Sequence, residues 1–159
     1  MFAPIAPHSN IGKHRIEALS DGIFAIAMTL LVLELKLAPL PHGATDPALR
    51  AALLDLAPKL LTWMLSFWVM ALFCLGQQRV YRYVTALDPA LLWAELSLLA
   101  LIGLLPFSTA LIGEHGTLPT AAALYALHLL LMSLLSWART SLLLRDKSLW
   151  SSELAPAVA

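Results

Sequence analysis

The stretch from His14 to Leu37 constrains the fold more than any other, because it is an apolar run that begins with a dense group of polar side chains. From Gly22 to Leu33 it has twelve uncharged residues. As a helix these cover about 18 Å, against the roughly 30 Å of a bilayer's hydrocarbon core. A spanning helix here must carry charges near both membrane faces, and charged groups are costly against lipid. The sequence therefore predicts a central helix, with Asp21 facing protein or a water-filled vestibule.

The composition places the chain among integral membrane proteins. Hydrophobic residues make up 60% of its 159 residues and charged residues 13%, with a mean hydropathy of +0.79. The net charge is zero and there is no block of basic residues, so no nucleic-acid partner is expected. The single cysteine excludes an internal disulfide, and no catalytic or phosphate-binding motif occurs. We expect a single transmembrane domain over residues 1–159, in contact with lipid, with no cofactor, no bound metal and no enzymatic activity.

The apolar runs predict an all-α, polytopic membrane bundle of four transmembrane helices. These spans cover about residues 16–37, 58–78, 89–112 and 119–144. The first is expected to stop before Pro39 and Pro41, whose rings cannot continue a helix. Residues 47–57 are too few to span, and they follow an N-cap signal at Asp46, so they predict a short interfacial helix. Pro106 is expected to bend the third span.

The distribution of basic residues predicts the orientation. Seven lie on one side of the four spans and three on the other. The seven are Lys13, Arg15, Arg79, Arg82, Arg139, Arg145 and Lys147, and the three are Lys36, Arg50 and Lys59. By the positive-inside rule, both termini are expected in the cytoplasm of a multi-pass protein of the cell's inner or plasma membrane.

A helical wheel of the first span shows one narrow face that combines apolar and small residues. Ile26, Thr29, Leu30 and Leu33 share this face at helical spacing. An overlapping track of small residues is formed by Ala18, Gly22, Ala25 and Thr29. Small residues let helices approach closely in membranes. Taken alone, the pattern favours packing of this face inside one monomer, and packing against other chains is the alternative.

Three ionisable residues at membrane depth are candidate functional residues, namely Asp21, Glu95 and His128. Each also has a structural interpretation: Asp21 could hold a helix end, and His128 could be an ordinary hydrogen-bonded helix residue. Glu95 could pair with an arginine, the candidates being Arg15, Arg79 and Arg82. If all three meet in one cavity, they would suggest a small proton-linked transporter or a membrane enzyme.

The sequence from Arg15 to Glu34, RIEALSDGIFAIAMTLLVLE, resembles the first-helix signature ArgxxxPheSerAspGly of the transmembrane protein 175 family of prokaryotic and lysosomal potassium channels. The similarity continues at Ser66–Phe67, at Leu104–His115 and at Ala123–His128. It covers roughly residues 13–145, and the first motif is long and fairly specific.

The resemblance implies a potassium-permeable channel in which the first helices of a homotetramer line a central pore. Ile26 would form the hydrophobic constriction, with Thr29 one turn beyond and Leu30 and Leu33 on the same pore-facing stripe. The potassium ion would be the permeant species and would pass close to Ile26 and Thr29. A ring of isoleucine side chains, one from each subunit, offers no oxygen ligands, so a modest potassium preference is expected.

The resemblance also implies a motif network at the base of the first helix. Its members would be Arg15, Ser20, Asp21, Gly22, Gln77 and Glu95. This sequence departs from the family pattern, with Leu19 for Phe, and with Cys74, Gln77 and Glu95 where Trp, His and Asn are expected. Family units usually have six spans, so we expect a shortened member or an incomplete sequence. The alternative function is a structural or regulatory membrane subunit that does not conduct.

Overall fold

The computed structural model describes residues 10–40, 42–84 and 89–145. This part of the chain forms five α-helices, in agreement with the predicted all-α class. They are α1 (Asn10–Val32), α2 (Asp46–Asp55), α3 (Ala57–Tyr83), α4 (Pro89–His115) and α5 (Pro119–Arg145). Lys147 and both chain termini, on which the predicted orientation partly depends, lie outside the described residues.

Three of these helices are long and apolar enough to cross a membrane: α3, α4 and α5. Each has 27 residues and is therefore about 40 Å long. The helix α1 has 23 residues, but its first half carries Lys13, Arg15, Glu17 and Asp21. Length and composition thus support three spanning helices, and the predicted fourth span depends on α1.

The helix α1 ends at Val32, so the prediction that it continues to Leu37 and stops at the prolines is wrong. The amides of Leu33 and Leu35 bond to carbonyls only three residues earlier, at 3.0 and 3.1 Å, which tightens and closes the last turn. From Leu33 to Leu37 apolar and charged residues alternate. That period of two suits an extended chain better than a helix with one buried face.

The other helices begin close to the predicted positions; α3, α4 and α5 extend further than predicted, whereas α2 ends at Asp55, two residues before the predicted end at 57. The helix α2 begins at Asp46 with proline in its first turn, as the sequence indicates. The helix α3 runs five residues beyond the predicted end at 78, because Gln77 and Tyr81 are buried in the bundle and its last turns do not leave it. The helix α4 likewise extends to His115.

The helix α4 lies at the centre of the bundle and contacts α1, α3 and α5. Its buried residues include Leu98, Leu99, Ile102 and Leu105, each at most 2% exposed. The helix α1 packs against this core through one face only, formed by Ser20, Phe24, Ala27 and Leu31. These residues repeat at intervals of three and four, which is the spacing of one helix face. The opposite face of α1 is therefore left outside the core.

Candidate functional site

The exposed face of α1 carries the predicted apolar stripe. Ile26 and Leu33 are both 61% exposed and Leu30 is 40% exposed, while Thr29 is also exposed. Phe24 and Leu31, on the opposite face, are almost completely buried. The interpretation that the stripe packs inside one monomer is therefore wrong, because the chain packs the other face of α1 into its core.

The same exposed face of α1 is lined by small residues. Ala18, Gly22 and Ala25 are all exposed, and a Cβ added at Gly22 would have no heavy atom within 4 Å. Packing within the chain therefore does not require glycine there. The helices α4 and α5 expose bulky side chains instead, such as Trp93 and Trp137 at 70% each. The exposed face of α1 suits the close approach of another helix.

Thr29 presents a hydrogen-bond acceptor on this face. Its hydroxyl donates to the carbonyl oxygen of Ile26 over 2.7 Å. A threonine hydroxyl has one hydrogen and two lone pairs, so only lone pairs of the oxygen remain for an outside group. An exposed oxygen of this kind is suited to contact a cation or a water molecule.

A buried charged cluster joins α3, α4 and α5 through Gln77, Glu95 and Arg139. The Arg139 Nη1 donates to Glu95 Oε2 over 2.8 Å. The amide nitrogen of Gln77 donates to Glu95, and its amide oxygen accepts from Arg139. None of the three residues is more than 3% exposed. The two opposite charges compensate each other, and the cluster ties the three helices together.

Glu95 thus pairs with Arg139 and not with the arginines proposed from the sequence. Arg15, Arg79 and Arg82 are all exposed. The predicted orientation counts Arg139 among the seven basic residues on the cytoplasmic side. Its position within an apolar span was a signal that it faces the bundle interior. The excess of basic residues that predicts the orientation is therefore smaller by one residue.

The base of α1 does not join this cluster in the single chain. Arg15, Asp21 and Gly22 are exposed. Ser20 is buried at 1% exposure, and its hydroxyl has no hydrogen-bond partner within the described part of the chain. Two members of the predicted network, Gln77 and Glu95, are instead bound to Arg139.

A second polar cluster crosses the same three helices in the C-terminal third of α4. The Ser66 hydroxyl on α3 lies 2.9 Å from the Tyr125 hydroxyl on α5, and Thr109 on α4 donates to Ser66 over 2.9 Å. All three side chains are buried. The sequence patterns did not reveal this cluster, because isolated hydroxyl residues are common in membrane helices.

His128 lies one turn further along α5 and bonds α4 on both sides of Pro106. Its Nε2 is 3.0 Å from the carbonyl oxygen of Leu101, and its Nδ1 is 2.8 Å from the Ser108 hydroxyl. A carbonyl oxygen only accepts, so Nε2 carries the hydrogen. The Ser108 hydroxyl also lies 3.0 Å from the carbonyl oxygen of Leu105, and its one hydrogen serves either that oxygen or Nδ1. His128 is therefore a hydrogen-bonded helix residue, as its structural interpretation held.

The three intramembrane ionisable residues do not meet in one cavity. Glu95 bonds Arg139, which lies eleven residues from His128 on α5, or about 16 Å along the helix. Asp21 is exposed on α1. The hypothesis of a proton-linked transporter or membrane enzyme that uses all three residues together is therefore contradicted. Within the described residues, no group of three or more metal-ligating side chains is assembled.

These features define a helical membrane protein whose first helix exposes a small-residue, apolar face next to a buried polar interior. The family model described as "Endosomal/lysosomal potassium channel TMEM175" matches residues 15–106. This match covers more than half of the chain, so the chain belongs to the TMEM175 family. The resemblance noted in the first-helix signature is confirmed. The family is one of ion channels, which is not a class of enzymes.

Several relatives carry names that describe what they conduct. The chain is 39% identical over 115 residues to a potassium channel of Chamaesiphon minutus, covering 70% of this chain and 56% of that protein. It is 34% identical over 124 residues to a potassium channel of Streptomyces collinus, covering 76% and 59%. A third relative is an endosomal/lysosomal proton channel of Danio rerio, to which the chain is 31% identical over 118 residues. That match covers 71% of this chain and 23% of the relative.

The fold is also similar to a solved structure. The crystal structure of a lysosomal potassium-selective channel TMEM175 homolog from Chamaesiphon minutus matches with a TM-score of 0.74 and 34% identity. The match covers 82% of this chain and 70% of the other. The chain spans 56% and 59% of the length of the two bacterial relatives.

Proposed function

We propose that this chain is a subunit of a potassium-permeable channel, in which α1 of each subunit lines the pore of a homotetramer. The observation that carries the proposal is the exposed face of α1, where Ile26 and Leu33 are 61% exposed amid small residues. Membership of the family and the names of the bacterial relatives support potassium as the permeant ion.

In this proposal α1 is the fourth membrane-spanning helix. Its 23 residues give a length of about 35 Å, which is enough to cross the hydrocarbon core. Its charged first half would be sheltered from lipid by the neighbouring subunits. An even number of spans returns the chain to the side on which it started. The excess of basic residues on that side then places both termini in the cytoplasm, for a protein of the inner or plasma membrane.

The proposed constriction is the ring of Ile26 side chains. An apolar ring provides no oxygen ligands, so an ion passing it must keep part of its hydration shell or lose it at a cost. Thr29 lies three residues further along the helix, and its hydroxyl hydrogen is occupied by the Ile26 carbonyl. A ring of Thr29 oxygens would offer partial compensation to a cation, which gives a modest preference for potassium. A narrow apolar ring can also gate by dewetting.

Potassium flux from loaded vesicles tests the proposal. The purified protein should release potassium, and Ile26→Asn should increase the rate and weaken the preference over sodium, because the amide hydrates the narrowest point. Leu72→Asn is the matched control, since Leu72 is 66% exposed on α3, outside the proposed pore. It should leave the flux unchanged. An absence of flux from a folded oligomer would rule out the channel.

A second candidate function is a structural or regulatory subunit that does not conduct. It is favoured by the binding of Gln77 and Glu95 to Arg139, which withdraws them from the base of α1. A chain that stays monomeric in mild detergent, with full helicity and without flux, would support this alternative over the channel.

A further inference from the structure

A charged cavity lies at the end of the bundle where α1 finishes and α3 begins. Its volume is about 340 Å³, and three segments line it: residues 36–39 after α1, the end of α2, and the first turn of α3. The charged residues at its wall are Lys36, Asp55 and Lys59. The apolar part of the wall includes Leu37, Pro39 and Leu56.

The opposite charges around this cavity do not pair with one another. The ion pairs of the described residues join Lys13 and His14 to Glu17, and Arg139 to Glu95. Neither Lys36 nor Lys59 has a carboxylate oxygen within 4.0 Å in that part of the chain. Asp55 is the last residue of α2 and Lys59 lies in the first turn of α3. Here two ammonium groups and one carboxylate border an open cavity instead.

The cavity lies at the level where lipid headgroups are expected. Lys59 is in the first turn of α3, a helix long and apolar enough to span the membrane. The neighbouring helix α2 has no buried residue and exposes Leu53 at 52% and Leu54 at 74%. A short helix with exposed leucines beside charged residues is typical of one that lies in the membrane interface.

The charges nearby distinguish between classes of headgroup. Glu34 and Glu114 line a smaller cavity on another side of Lys59. Together with Asp55, these carboxylates offset the two lysines, so a headgroup with a net negative charge is not favoured. A zwitterionic headgroup matches the wall, because its phosphate can bind the lysines while its amine binds Asp55. A primary ammonium donates hydrogen bonds to a carboxylate, and a quaternary ammonium does not.

We propose that this cavity binds a phospholipid whose headgroup carries a phosphate and a primary ammonium, as in phosphatidylethanolamine. The phosphate lies between Lys36 and Lys59, the ammonium contacts Asp55, and the glycerol and first acyl carbons lie against Leu37 and Leu56. The site is independent of the proposed conduction, and its occupant would hold the segment that directly follows α1.

Native mass spectrometry of the full chain in mild detergent tests this site. Phosphatidylethanolamine, phosphatidylcholine and phosphatidylglycerol with identical acyl chains are added in turn. Bound phosphatidylethanolamine should exceed phosphatidylcholine by about tenfold, the effect of one charge-assisted hydrogen bond. Lys36→Gln combined with Lys59→Gln should remove most of the bound phosphatidylethanolamine. The control is Arg50→Gln, which lies on α2 but outside the cavity wall. It should leave binding unchanged.

Asp55→Asn provides the sharper variant, because it removes only the partner of the ammonium. The preference for phosphatidylethanolamine over phosphatidylcholine should disappear while binding of phosphatidylcholine is retained. Equal binding of all three lipids to the unmodified chain would overturn the proposal. So would strongest binding of phosphatidylglycerol, or an oligomer that binds no lipid because a second copy fills the cavity.

Discussion

The side chains of Glu95 and Arg139 show how strongly single residues can depend on each other in this bundle. Each is at most 3% exposed, and their ionic groups are 2.8 Å apart. Removing one member of a buried pair leaves the other charge without compensation, which costs more than the pair itself contributes. The protein should therefore be less stable when only one of the two residues is replaced than when both are kept or both are replaced.

Arg139→Leu is expected to destabilise the protein by about 3–5 kcal/mol, because it leaves Glu95 charged and unpaired. The double variant Arg139→Leu with Glu95→Leu should recover a large part of that loss. Unfolding in mild detergent, analysed as a double-mutant cycle, measures both values. Arg145→Leu is the control at the exposed end of the same helix. Equal destabilisation by the changes at positions 139 and 145 would contradict a structural role for the pair.

The oxygen of Thr29 should influence ion preference. Thr29→Val keeps the shape of the side chain but removes the oxygen, so the preference for potassium over sodium should fall. Thr29→Ser keeps the oxygen and should retain most of the preference. Reversal potentials in bilayers with different ions on the two sides measure this ratio. Equal ratios for the valine and serine variants would remove Thr29 from the selectivity mechanism.

At the scale of the helices, the helical wheel predicted which residues share a face but not where that face points, and the expectation that it lines a pore came from the family resemblance alone. The wheel of α1 correctly groups Ile26 with Leu30 and Leu33, because helical spacing alone decides this. Whether the face is buried depends on partners that are distant in sequence. Here α4 packs against Phe24 and Leu31 instead, and the spacing of apolar residues in α1 does not distinguish the two faces.

The same limit explains why the partner of Glu95 was not predicted. Arg139 is 44 residues away in the chain, and the pairing requires α4 and α5 to lie side by side in one register. The start of α2 at Asp46 was predictable, since an acidic residue followed by proline is a local signal. The early end of α1 was missed, although the alternation of apolar and charged residues from Leu33 to Leu37 was a local signal for it.

The central part of α4 depends on a clamp from α5. Pro106 lacks the amide hydrogen that would bond the carbonyl of Ile102, and His128 bonds Leu101 and Ser108 on either side. His128→Ala should cost about 1–3 kcal/mol of stability, since both hydrogen bonds from α5 to Leu101 and Ser108 are lost. Hydrogen exchange should become faster for amides of residues 101–109.

His115→Ala is the control for this clamp, because His115 is exposed at the end of the same helix. It should leave the exchange rates of residues 101–109 unchanged. If the histidine-to-alanine changes at positions 115 and 128 gave the same exchange rates, the bonds from His128 would have no part in holding α4.

At the scale of the whole molecule, the proposed assembly places the same face of α1 from each subunit around one axis. The chain has a single cysteine, Cys74, so a Cys74→Ser background allows one new cysteine to be tested at a time. Ile26→Cys should form disulfides between subunits under mild oxidation, because residues at a constriction come within disulfide distance. Leu72→Cys, equally exposed on α3, should not.

Family membership and the all-α class were both accessible from the sequence, because the first-helix motif and the apolar runs are local features. The oligomer could not be predicted in the same way, because its contacts are made between chains. A single chain shows only an indirect sign of them. That sign is a helix face of Gly22, Ala25 and Ile26 that the monomer does not cover.

The most direct measurement is the structure of the purified oligomer in a lipid environment, viewed along its symmetry axis. We predict four copies, with the Ile26 side chains meeting at the axis and Thr29 one turn beyond them. An oligomer in which the exposed face of α1 turns toward lipid, with no continuous path between the first helices, would contradict the proposed channel.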